Sequence, residues 1–117
     1  MESSEAVTAL AALAHESRLA TYRLLVQAGP NGLAASKIAE SLDIAASSLS
    51  FHLKELAHAG LVTSRQEARF VIYTARFDMM NALLGFLTQN CCGGDTCFSS
   101  ASIACDPQAA QGRATYT

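Results

Sequence analysis

Two observations predict a mainly α-helical fold with a small β-hairpin wing (α+β). Apolar residues recur at helical spacing from about residue 5 to residue 59. The period then falls from 3.6 to 2 across residues 61–74, in two runs rich in Val, Ile, Thr and Tyr. A last apolar helical pattern follows, and then a cluster of cysteines.

Each element has a sequence reason. The first helix is predicted over Glu5–Ala14, with Val7, Leu10, Ala11 and Ala14 on one face, Ser3 or Ser4 as cap and Glu5 in its first turn. The second covers Glu16–Ala28. Its stripe of Leu19, Tyr22 and Val26 is widened by Leu24 and Leu25, as expected for burial on more than one side. Gly29-Pro30-Asn31-Gly32 stops it. A short helix over Ala35–Leu42 turns Ile38, Ala39 and Leu42 inward, and Asp43-Ile44 makes a tight turn. The next helix, Ala46–Ala59, places Leu49, Leu53, Leu56 and Ala57 on one face. Ser47, Ser48, Ser50, His52, Lys54 and Glu55 lie off that stripe, and Gly60 ends the helix. Leu61–Arg65 and Phe70–Thr74 read as strands joined by Gln66-Glu67-Ala68-Arg69. The last helix, Asp78–Asn90, is apolar over most of its circumference through Met79, Met80, Leu83, Leu84, Phe86 and Leu87. In so small a domain this predicts a partner outside its own core, most simply the same helix of a second subunit.

Composition narrows the class. The chain has 117 residues, half of them apolar, which supports one domain with a real core and no disulfide staples. The longest apolar run, around Ala82–Leu87, is far too short to span a bilayer, so no membrane partner is expected. MESSEAVTAL lacks the basic and apolar regions of a secretion signal, which predicts a cytoplasmic chain with reduced thiols. There, four cysteines point to metal binding or redox chemistry rather than to disulfides. Net charge is −2, a bulk figure that neither supports nor excludes DNA.

The order helix, helix, short helix, turn, helix, hairpin is a winged helix-turn-helix plan. In that plan the second helix of the pair enters the major groove with its N-terminal residues toward the base edges. Ser47, Ser48 and Ser50 are small hydroxyl residues suited to close approach. His52 and Lys54 are placed to reach the backbone, and Arg65 and Arg69 flank the hairpin tip.

The stretch SLSFHLKELAHAGLVTSRQEARFVIYTA resembles the recognition helix and wing of the ArsR/SmtB family of metal-responsive repressors, and LAALAHESRLATYRLL resembles its first two helices. The resemblance spans about residues 5–90, and Ser50–Leu53 and Ala59–Val62 are its most specific parts. It implies a homodimer, paired through the first and last helices, that binds operator DNA and releases it when an inducer binds. There are departures. Ala46-Ser47 replaces the glutamine-serine often found there, and Phe51 replaces an arginine, which changes the base contacts. Ala68 stands where the wing turn usually has glycine, which predicts a differently shaped turn.

The family's sensing sites differ among members. The stretch Gly32–Lys37 lacks the cysteines of one arsenic site, and the last helix has Asp78 but no histidine or glutamate for a zinc site. Cys91, Cys92 and Cys97 resemble an arsenite-sensing variant with cysteines just after the last helix. The chemistry agrees. Trivalent arsenic or antimony wants three sulfurs, whereas zinc wants four ligands. Gly93-Gly94 lets the chain curl so that Cys97 joins the adjacent pair, and Cys105 lies farther off. No organic cofactor is expected. The domain reading is 1–90 for DNA binding and dimerisation, 91–105 for the cysteine-bearing inducer segment and 106–117 for a flexible tail.

An enzyme is not expected. A reactive thiol needs a nearby base or a helix N-terminus, and these cysteines follow a helix C-terminus. The alternatives are a thiol redox-sensing repressor, with a disulfide to Cys97, and a winged-helix interaction module with structural zinc.

Overall fold

Five α-helices and a three-stranded antiparallel sheet follow one another in a computed structural model that describes residues 1–89. The order is α1 (Ser3–Leu13), α2 (Glu16–Ala28), β1 (Leu33–Ala34), α3 (Ala35–Leu42), α4 (Ala46–His58), β2 (Val62–Glu67), β3 (Phe70–Ala75) and α5 (Phe77–Leu87). These elements lie in one unit, Met1–Leu87. Asn90 and everything after it lie outside the described residues. That includes the whole of segments 91–105 and 106–117.

Helices α2, α3 and α4 keep the bounds that periodicity predicts to within a residue. Their inward side chains form the core. Leu25 of α2, Ile38 of α3, Leu49, Leu53 and Leu56 of α4, and Leu61 are fully buried. Burying each such side chain contributes about 1.5–3 kcal/mol relative to leaving it in water. Thr21, also buried, satisfies its hydroxyl by donating to the Ser17 carbonyl at 2.7 Å. The end of α4 shows why Gly60 follows it. The Leu61 N–H donates to the Leu56 carbonyl and the Gly60 N–H to the Ala57 carbonyl, each at 3.0 Å, with Gly60 at φ +80°. This Schellman closure caps two helix carbonyls and turns the chain straight into β2.

Helix α1 departs from expectation. It begins at Ser3, with the Glu2 N–H donating to the Glu5 carboxylate at 2.9 Å. Ala6, Ala9 and Ala12 are its buried face, while Val7 is 64% and Leu10 41% exposed. Small alanines let α1 lie close on α2 and α4, and the larger residues of the predicted stripe face outward. In α4, Ala57 is exposed and Ala59, just beyond the helix, is buried instead. Helix α5 starts at Phe77 and ends at Leu87, short of the predicted Asn90.

The hairpin is longer than predicted. Val62 pairs with Ala75 and Glu67 with Phe70, which leaves Ala68-Arg69 as a two-residue loop. Ala68 has φ +56°, so alanine adopts the left-handed backbone that glycine would take without strain. The replacement thus leaves a tight turn in place and adds strain to it. The third strand is an unpredicted element. Only two residues long, β1 is too short to show a period; Leu33 pairs with Tyr73 and Ala34 with Ile72. Gly32, at φ +71°, makes this pairing possible, because a Cβ there would collide with the Tyr73 carbonyl and the Thr74 hydroxyl.

Chemical denaturation checks both backbone positions. Gly32→Ala is expected to lose more than about 2 kcal/mol, from left-handed strain together with overpacking against β3. Ala68→Gly is expected to gain up to about 1 kcal/mol, the relieved strain less the added freedom of the unfolded chain.

Candidate nucleic-acid interface

Helix α4 has two faces of opposite character. Leu49, His52, Leu53 and Leu56 recur at steps of three and four and are all buried. On the opposite side Ser47, Phe51, Lys54 and His58 recur at the same steps and are all exposed, with Ser48, Ser50 and Glu55 beside them. The N-cap, Ala45, has extended backbone and no side-chain cap bond, so the first amides of α4 have no side-chain acceptor there. An uncapped helix start with serines in its first turn is suited to phosphate oxygens.

His52 is a correction to the sequence reading. Its ring does not lie with the serines but in the buried stripe, at 9% exposure. It packs 4.7 Å from the His15 ring and 5.9 Å from the Phe51 ring. Its Nδ1 is buried without a hydrogen-bond partner among the described residues. His15 in turn caps α2, its Nδ1 accepting from the Ser17 N–H at 3.1 Å. Arg18 donates from Nε to the Ala12 carbonyl at 2.6 Å. His52 is therefore a buttress between α4 and the α1–α2 turn. The signal is present in the spacing, since position 52 is three from Leu49 and four from Leu56; only the polarity of histidine points to the surface.

Burial pushes the His52 imidazole below its ordinary value, and the nearby His15 and Arg18 push the same way. The protonated form is thus disfavoured in the folded chain. The unfolded chain binds more protons, so this contribution is complete above about pH 6.5 and is lost as pH falls below it, through the lower folded-state value.

The two wing arginines divide. Arg65 is tied to the base of the hairpin. Its Nε donates to Glu67 at 2.7 Å, Nη1 to the Thr74 hydroxyl at 3.2 Å and Nη2 to the Asn31 carbonyl at 2.8 Å. It braces the wing against the Gly29–Asn31 turn that follows α2, and Glu67 offsets its charge. Arg69 sits exposed in the two-residue loop, with no hydrogen bond or ion pair among the described residues. Lys54 is exposed on α4 and likewise carries no ion pair there. Of the predicted contact residues, Ser47, Ser48, Ser50 and Lys54 share one surface, Arg69 tips the wing, Arg65 is a brace and His52 is core.

The candidate thiol ligands Cys91, Cys92 and Cys97 lie outside the described residues. Among the described residues, no group of three or more His, Cys, Asp or Glu side chains is arranged to hold a metal ion. Asp78, at the start of α5, pairs with Arg76 at 2.7 Å, and the hydrogen bond from Arg76 holds its carboxyl below the usual carboxylate range. No described helix is long and apolar enough to cross a membrane.

Two measurements follow. The thermal midpoint is expected to fall between pH 7.5 and pH 5, and His52→Leu is expected to fold while losing part of that slope. In operator titrations at several salt concentrations, Arg69→Ala is expected to lower the log–log salt slope by about one unit per protomer. Arg65→Ala is expected to reduce stability more than it reduces the slope.

Comparison with known proteins bears directly on this arrangement. Residues 13–65 match the model of a helix-turn-helix domain family. The chain is 34% identical over 90 residues to the transcriptional activator HlyU of Vibrio cholerae, covering 77% of this chain and 81% of that protein. A solved structure of reduced HlyU from that organism covers 77% of this chain and 92% of its own, with a TM-score of 0.61. An ArsR-like transcriptional regulator from Rhodococcus sp. RHA1 superposes with a TM-score of 0.66 at 28% identity, covering 74% of this chain and 78% of its own. A homodimeric winged helix-turn-helix DNA-binding domain from Mycobacterium bovis, described as a possible ArsR-family regulator, gives 0.60 at 26% identity over 74% of this chain and 81% of its own. With its helix-turn-helix, its wing and these relatives, the chain belongs to the ArsR/SmtB type of winged helix-turn-helix transcriptional regulators and is not an enzyme.

Proposed function

We propose that this regulator is an arsenite-responsive repressor: a homodimer that binds a pseudo-palindromic operator and releases it when trivalent arsenic or antimony binds Cys91, Cys92 and Cys97. The observation that carries this reading is the density of thiols, three in seven residues, shortly after α5. Trivalent arsenic is thiophilic and three-coordinate, so adjacent cysteines and a third beyond a glycine pair meet its needs.

The dimer reading rests on apolar surface that is exposed among the described residues. Val7 and Leu10 on α1 and Leu87 on α5 are exposed, and α1 touches α5. Nearby, Leu13, Leu19, Tyr22, Met80 and Leu83 line an open, almost wholly apolar groove of about 320 Å³. A second copy would cover such surface. Helix α5 would then join the thiol segment to the dimer contact, so that ordering the thiols changes the spacing of the two α4 helices. A hundredfold loss of DNA affinity requires only about 2.7 kcal/mol of such coupling.

A second reading is favoured by one observation. A solved structure of the relative HlyU is described as the reduced form, and HlyU is named as an activator. On this reading Cys91 or Cys92 would form a disulfide with Cys97.

Anaerobic operator binding by the reduced protein separates the two. Arsenite is expected to release the DNA at concentrations where peroxide does not, and Cys97→Ser is expected to lose most of that response. Release by peroxide alone would replace the metalloid by a redox signal, and an unchanged response in Cys97→Ser would remove the three-thiol site. For the dimer, Leu10→Glu is expected to shift the sedimentation mass to that of one chain and to weaken operator binding at least tenfold.

A further inference from the structure

The largest side chain on the exposed face of α4 belongs to neither the serines nor the core. Phe51 is 56% exposed, in a helix whose other large apolar residues are buried. It stands four residues from Ser47, three from Ser48 and three from Lys54, so these side chains share one surface. Within the protomer its ring meets His52 edge-on at 5.9 Å, interplanar angle 63°, and His52 is itself held by the core and His15. A phenyl ring is thus held on a buried base and directed outward among small hydroxyl residues.

We infer that Phe51 is a specificity-determining residue that reads the 5-methyl group of a thymine in the major groove. The inference rests on α4 being the helix that enters the groove. There the base edges present hydrogen-bond donors and acceptors, and the thymine methyl is the apolar group among them. Phenylalanine has no donor or acceptor. Against a guanine or cytosine edge it would strand polar atoms without partners, at a cost. Against a methyl it buries apolar surface on both sides. Neighbouring serines are short enough to let the helix come close without competing for the same base. The operator half-site therefore carries a thymine at a fixed place opposite Phe51.

The test uses the full chain. Duplexes are selected from a random pool, and each thymine of the selected site is replaced singly by deoxyuridine, which removes the methyl and nothing else. Wild-type protein is expected to lose about fourfold in affinity at one thymine per half-site and almost nothing elsewhere. Phe51→Ala is an exposed change, with an unchanged thermal midpoint as the check on its fold, and is expected to bind more weakly and to be indifferent to deoxyuridine at that thymine. Equal tolerance of deoxyuridine everywhere, or the same penalty in Phe51→Ala, overturns the role of Phe51 while leaving DNA binding intact. Failure to enrich any duplex overturns the DNA-binding reading of α4 and this inference with it.

Discussion

The seating of α4 on the core is the interaction on which the rest of the structure depends. Leu49, His52, Leu53 and Leu56 bury one side of the helix against α1, α2 and α3. Truncating one such leucine to alanine costs about 2–5 kcal/mol in a well-packed core. Because that side is fixed, the opposite side, with Ser47, Phe51 and Lys54, is held at a defined angle. The Gly60 closure then passes the chain directly to the wing, so the wing tip is positioned by the same helix.

Charge explains how a chain of net charge −2 can serve this purpose. Several of the chain's cations are already matched: Lys37 lies 3.8 Å from Glu40, Arg65 2.7 Å from Glu67 and Arg76 2.7 Å from Asp78. Exposed pairs of this kind add little stability, but they cancel long-range attraction to phosphates. Lys54 and Arg69 remain without ion pairs among the described residues. On the proposed reading such a surface would attract DNA weakly at a distance and would rely on short-range contacts made by serines and one aromatic ring. Doubling the site in a dimer, as proposed, would compensate for the small charge of each half.

The sequence made much of this legible. Helices α2, α3 and α4 and the existence of the wing follow from the period, from Gly29-Pro30 and Gly60, and from the switch to β-branched residues. What was missed has physical reasons. Helix α1 has two stripes, one of alanines and one of larger apolar residues, and periodicity alone does not say which faces in. Bulk favours the larger stripe as core, yet the small one allows close packing. His52 occupies a core position that its polarity disguised. The two arginines of the wing look alike in sequence, and only the register of β2 and β3 separates a brace from a tip. The strand β1 depends on a contact between Gly32 and β3 that no local pattern reveals. Cys91, Cys92 and Cys97 are read from sequence alone, since they lie outside the described residues.

On the proposed reading the exposed face of α4 and the tip of the wing meet DNA, while the stripe containing His52 anchors the helix. Amide chemical-shift mapping during titration with the selected operator duplex tests it most directly. The largest changes are expected at Ser47, Ser48, Phe51, Lys54 and Arg69, with Leu49, Leu53 and Leu56 moving little. Changes concentrated on Val7, Leu10 and Leu87, with α4 silent, would contradict it.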